Sequence, residues 1–177
     1  MKATGIVRRI DDLGRVVIPK EIRRTMRIRE GDPLEIYTDA GGEVIFKKYS
    51  PVGELAGFAA QYADALTRGT GLCVAICDRD HCIAAAGISK KEILERRITP
   101  ALDEIIESRQ VAVFPEGKEV FAVEGIDRHI CIAAPIISAG DVSGAVVLLE
   151  SEAGKTASDT DIKLASVAAG FLGNQME

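Results

Sequence analysis

Hydrophobic and polar positions alternate from the start of the chain. Ile6, Arg8 and Ile10 share one face of an extended segment, and Val7 and Arg9 share the other. Asp11-Asp12-Leu13-Gly14 is a turn, with Gly14 available for a positive φ, and residues 15–18 return as a second strand. Pro19 suits the first position of a helix of about two turns, in which Ile22 and Met26 form the apolar side. Residues 29–32 are a polar turn. Residues 33–38 and 43–48 then pair across Asp39-Ala-Gly-Gly42 as a second hairpin. Each hairpin has one apolar face and too few strands to cover it, so pairing with a second copy is expected.

The pattern changes after Tyr49-Ser50-Pro51-Val52-Gly53. Leu55, Phe58, Ala59, Tyr62, Ala63 and Leu66 fall on one stripe of an amphipathic helix. Strands are expected near 72–78, 82–86, 111–123, 129–137 and 143–150, with helical structure over 88–110 broken at Thr99-Pro100. A last helix covers about 159–173, opened by a capping box at Ser158-Asp-Thr-Asp161. Residues 129–137 and 144–149 show no polar alternation, as in strands covered on both faces. The last helix carries two apolar stripes, Ile162/Ala165/Ala169/Leu172 and Leu164/Val167/Ala168/Phe171. Its own sheet accounts for one, and a partner subunit for the other. Two separate self-contacts per chain permit a homodimer that assembles into a homotetramer.

The fold class is therefore α+β. The expected divisions are 1–50, a short linker at 51–55, and 56–177.

Charge sharpens this division. Over residues 2–29, nine Lys and Arg stand against three Asp and Glu, in a chain of net charge −5. Residues 1–50 are net +3 and residues 51–177 net −8. A basic unit in an acidic protein points to a phosphate-facing surface made by Lys2, Arg8, Arg9, Arg15, Arg23, Arg24 and Arg27. Helix-dipole compensation explains Arg23, Arg24 and Arg27, and edge-strand protection explains Arg8 and Arg9. Neither explains both groups together with Arg15. No second helix precedes the short one, so a helix-turn-helix is not expected.

Residues 4–25, with their Leu13-Gly-Arg-Val-Val-Ile-Pro19 core, closely resemble the AbrB family of swapped-hairpin DNA-binding regulators. Asp32-Pro-Leu-Glu-Ile-Tyr37 and Val44-Ile-Phe-Lys-Lys-Tyr49 match the same family. The resemblance implies an interleaved dimer and contact with double-stranded DNA through Arg8, Arg15, Arg23 and Arg24. It also implies a regulator of sporulation genes that both activates and represses. The element order of the second part is similar to GAF domains, which implies a sensor of some unidentified small ligand. Bent, A·T-rich duplexes read partly by shape are the expected target.

Other chemistry is weaker. Cys73, Cys77, Cys82 and Cys131 lie among apolar residues, and their spacing does not fit a metal site. They read as reduced core thiols of a cytoplasmic, nucleoid-associated protein. A thiol-based redox enzyme of GAF type is one alternative, with Cys82 beside His81 its best candidate. An antitoxin is the other, disfavoured by about 125 patterned residues after the basic unit. Gly154-Lys-Thr156 lacks the leading glycine of a phosphate loop, since position 149 is Leu. No cofactor and no catalytic residue is assigned, and no apolar run approaches a membrane span of ~18 residues.

Overall fold

A computed structural model of the chain describes residues 4–151 and 153–176. It contains two compact units, divided between Tyr49 and Ser50.

In the first unit, Asp11 to Gly14 form the expected turn. The Gly14 amide donates to the Asp11 carbonyl, and Asp11 N to the Arg15 carbonyl, both at 3.0 Å. Gly14 has φ +76°, which glycine adopts without a steric penalty. Residues 6–10 and 15–18, expected as paired strands, form no ladder. Many of their apolar side chains stay open to solvent within one chain, Val7, Ile10 and Val17 each at least 70% exposed.

The helix is shorter than the sequence suggests. Helix α1 spans Lys20–Thr25, with Pro19 as its N-cap. The chain leaves it through Arg27 at φ +52°, while Ile28 N reaches back to the Arg23 carbonyl at 2.8 Å. That is the usual left-handed exit, here without glycine. Strands β1 (Leu34–Thr38) and β2 (Val44–Lys48) pair antiparallel, setting Ile36 opposite Phe46 and Tyr37 opposite Ile45.

The second unit opens with α2 (Pro51–Glu54), so the expected linker at 51–55 is not one. Ser50 caps this helix, and Val52 is fully buried in the core. Pro51 sits in the first turn, where its missing amide hydrogen costs nothing. Helix α3 (Ala56–Thr70) ends at Gly71 in the left-handed conformation. Strands β3 (Cys73–Asp78) and β4 (Cys82–Ala86) follow, then α4 (Lys90–Ile93) and α5 (Pro100–Ser108), whose N-cap is Thr99. Strands β5 (Ala112–Val113), β6 (Ile130–Ser138) and β7 (Asp141–Leu149) lead to α6 (Asp159–Asn174).

All the strands of this unit join one antiparallel sheet in the order β4-β3-β7-β6-β5. The strand expected over 111–123 is only two residues long. A turn at Pro115, closed by Lys118 N to the Pro115 carbonyl, breaks it, and the chain beyond makes only isolated bridges, Phe121 to His129 and Val123 to Ile98. The capping box at Ser158 forms as expected, with Asp161 N donating to Ser158 Oγ and Ser158 N to the Asp161 carboxylate.

Both sheet faces are covered. Val74, Ile76, Ile136 and Leu148 pack under α3 and α6, where Ala63, Ala165 and Leu172 complete the layer. On the opposite face, Ala75, Cys77 and Val147 meet Ile93, Ile98, Leu102 and Ile106. Period-two alternation supplies both layers, with bulges at Ile130/Ile132 and Ile136/Ile137 shifting it along β6 and β7. Buried apolar side chains pack this second face as they do the first. Among the described residues, no helix is long and apolar enough to cross a membrane.

Candidate nucleic-acid interface

The short helix and the first turn carry the cations. Arg23 and Arg24 stand in the last turn of α1, where positive charge complements the helix dipole. Arg27 lies beyond the helix at its left-handed exit, not within it as expected. That exit is tied down from β2. Lys48 Nζ donates to the Arg27 carbonyl at 3.0 Å and pairs with Asp32 at 3.3 Å. The Asp32 carboxylate, whose side chain is 5% exposed, also accepts the Arg29 amide at 2.8 Å.

Arg8 and Arg9 are exposed on the extended segment before the turn. Arg15 follows the turn, and its Nε lies 2.8 Å from Asp11 Oδ2. The Arg15 amide and side chain hold the Asp11 carboxyl below the usual carboxylate range, with the Leu13 amide adding to the effect. Lys2 lies outside the described residues. All six arginines are solvent-exposed; Arg15 is placed by the Asp11 turn, Arg23 and Arg24 by the last turn of α1, and Arg27 by its left-handed exit. Such a set of cations can neutralise backbone phosphates and reach base edges.

Sequence reasoning missed Asp11, Asp32 and Lys48. Asp11 and Asp32 look like ordinary turn acids, and only the folded turns reveal which groups they bind.

The second unit presents other chemistry. Cys73, Cys77 and Cys82 are buried, and Cys131 is half-buried. Hydrogen bonding with Cys82, together with burial, pushes the Cys77 thiol well up, and burial raises that of Cys131. Cys82, the residue considered for redox chemistry, is fully buried and directs Sγ to the Ala84 carbonyl at 3.4 Å. A reactive thiol needs exposure and a lowered pKa. No group of His, Cys, Asp and Glu suited to a metal occurs among the described residues. An open cleft of about 610 Å³ lies between residues 87–89 with Glu92 and residues 125–128.

Residues 54–177 match the family model described as Stage V sporulation protein T C-terminal, transcription factor. The chain belongs to this family. Residues 7–53 match the model described as Antidote-toxin recognition MazE, bacterial antitoxin. Over its full length the chain is similar to Stage V sporulation protein T of Bacillus subtilis (strain 168). The two are 53% identical over 179 aligned positions, covering 100% of this chain and 99% of that protein. The N-terminal unit is similar to the Transition state regulatory protein AbrB of the same organism, at 63% identity over 51 residues, 29% of this chain and 52% of that one. The second unit is similar to the GAF domain from a phosphoenolpyruvate-protein phosphotransferase of Coxiella burnetii. That likeness has a TM-score of 0.52 at 17% identity, covers 69% of this chain and 82% of that one, and gives the fold alone.

Proposed function

We propose that the chain is a DNA-binding regulator of sporulation genes, activating some and repressing others, and that it binds double-stranded DNA through Lys2, Arg8, Arg9, Arg15, Arg23, Arg24 and Arg27. The observation that carries this reading is the exposure of all six arginines on one unit of about 50 residues in a net acidic chain. The family's description as a transcription factor supports it.

The N-terminal unit acts as an interleaved dimer. Thirteen of its large apolar residues are exposed, among them Val7, Leu13, Val16, Ile36 and Phe46, and Pro19 alone is buried among its described residues. A unit of this size with no buried core needs a second copy to fold. The second unit then joins dimers into a homotetramer through α3 and α6. There Tyr62 stacks on Phe171 with ring centroids 5.6 Å apart, and Val167, one turn earlier on α6, is exposed.

The same unit senses a small effector, and the open cleft lined in part by Glu92 and Arg128 supports that reading as a place for one to bind. Buried, protonated thiols favour neither catalysis nor metal binding, and we assign the cytoplasm and nucleoid as the site of action. The MazE-type match concerns the same hairpin unit and leaves the large second unit unexplained, so an antitoxin is not favoured.

The test is mobility shift with Arg15→Ala and Arg23→Ala on an A·T-rich duplex. Each should weaken binding and leave the fold intact. Unchanged affinity in both removes this surface from the reading.

A further inference from the structure

An acidic residue sits inside the basic surface, and simple electrostatics disfavours it there. The Asp11 carboxylate makes three hydrogen bonds within the turn. Oδ1 accepts the Leu13 amide at 3.0 Å and the Arg15 amide at 2.8 Å. Oδ2 accepts Arg15 Nε at 2.8 Å. Two main-chain bonds close the same turn, Asp11 N to the Arg15 carbonyl and Gly14 N to the Asp11 carbonyl. Asp12, its neighbour, makes none of these contacts.

The pair is exposed, with the Arg15 side chain at 69% and that of Asp11 at 38%. Exposed ion pairs add little to folding, so stability does not account for it. Its effect falls on the arginine. A free arginine side chain samples many rotamers and loses that freedom when it meets a phosphate. A guanidinium held through Nε has already lost part of it. The planar fork keeps four further N–H donors on its two Nη atoms, in the geometry that suits phosphate oxygens or a guanine edge.

We propose that Asp11 is a positioning residue for DNA recognition, which fixes Arg15 through Nε and presents its remaining donors to DNA in one orientation. The inference rests on the proposed DNA contact by Arg15 and adds a residue of the wrong charge to the recognition apparatus.

The charge gives the test its sign. Asn at position 11 keeps a side-chain oxygen for the Leu13 and Arg15 amides, so the turn survives and the ion pair is lost. Removing an acid from a DNA-binding surface should by charge alone tighten binding. Asp12→Asn makes the same charge change without touching Arg15.

Fluorescence anisotropy of an A·T-rich duplex, at fixed salt, would compare the full chain with Asp11→Asn, Asp12→Asn, Arg15→Ala and the double variant Asp11→Asn/Arg15→Ala. Asp12→Asn should bind equally or more tightly. Asp11→Asn should bind about threefold to tenfold more weakly, the order expected for restoring freedom to one long side chain. In the Arg15→Ala background, Asp11→Asn should cost nothing, because the residue acts only through Arg15. Asp11→Asn matching Asp12→Asn would overturn the proposal. So would an equal loss in both backgrounds, the signature of a turn that has merely come undone. If Arg15→Ala itself binds normally, the parent assignment fails and this one with it. If Arg15→Ala weakens binding and Asp11→Asn does not, only the positioning role fails.

Discussion

Ser50 Oγ accepts the Gly53 amide at 3.0 Å, which makes the residue after Tyr49 the N-cap of the second unit's first helix. The two units are therefore joined with no spare residue between the end of one and the cap of the next. A flexible glycine-serine insert placed between Tyr49 and Ser50 should leave the melting of the second unit and DNA binding by the first unchanged. Ser50→Ala should lower the stability of the second unit by about 1 kcal/mol, the usual effect of a lost cap. Calorimetry of both variants checks this. Equal melting of Ser50→Ala and the parent chain would remove the capping role.

The exposed face of α3 and α6 should decide assembly size. Val167 is 63% exposed on α6, one helical turn before Phe171, whose ring stacks on Tyr62 of α3. Val167→Asp places a charge where a partner helix is expected to pack, and desolvating it there is unfavourable. Sedimentation should show the assembly reduced to dimers, with the secondary structure retained. A distribution unchanged from the parent chain would exclude this face as a contact.

Residues 1–49 alone should melt at a temperature that rises with protein concentration, as obligate dimers do. The large apolar side chains left exposed within one chain, Ile10 and Val17 among them, are the reason. A concentration-independent midpoint for a sedimenting monomer would contradict interleaving.

The thiols should be inert in the native state. The Cys77 pKa is raised, so the folded chain favours the protonated thiol more than the unfolded chain does. That contribution to stability is complete below the ordinary thiol range and is lost as pH rises through and above it. Alkylation at neutral pH should modify half-buried Cys131 first, with Cys73, Cys77 and Cys82 reacting only on unfolding. Rapid native labelling of Cys82 would reopen the redox reading.

Local signals with their own stereochemistry were legible in the sequence. The Asp11–Gly14 turn, the β1–β2 hairpin and the Ser158 capping box each depend on a few adjacent residues, and each forms. The uninterrupted apolar runs around β6 and β7 indicated a sheet covered on both faces, which the two core layers supply. Ambiguous punctuation misled. Ser-Pro after Tyr49 reads as a break, yet the same dipeptide starts α2, because Val52 has a core to enter. Pro115 and Gly117 were turn signals within an apolar stretch, and the turn prevails over the strand expected there. At the arginine surface, residue types gave the cations. The groups that hold them in place were hidden. The bonds from Asp11 to Arg15 and from Lys48 to the Arg27 carbonyl depend on folded turns, the second across 21 positions.

The central claim is that clustered arginines bind the DNA backbone, and a salt titration of the full chain on one duplex tests it most directly. If each dimer neutralises about 6–10 phosphates, affinity should fall by about 10³–10⁵ between about 50 and 200 mM salt, and the slope of log affinity against log salt should become shallower in Arg15→Ala and Arg23→Ala. An affinity nearly independent of salt, or a slope identical in both variants, would contradict the assignment of this surface to DNA.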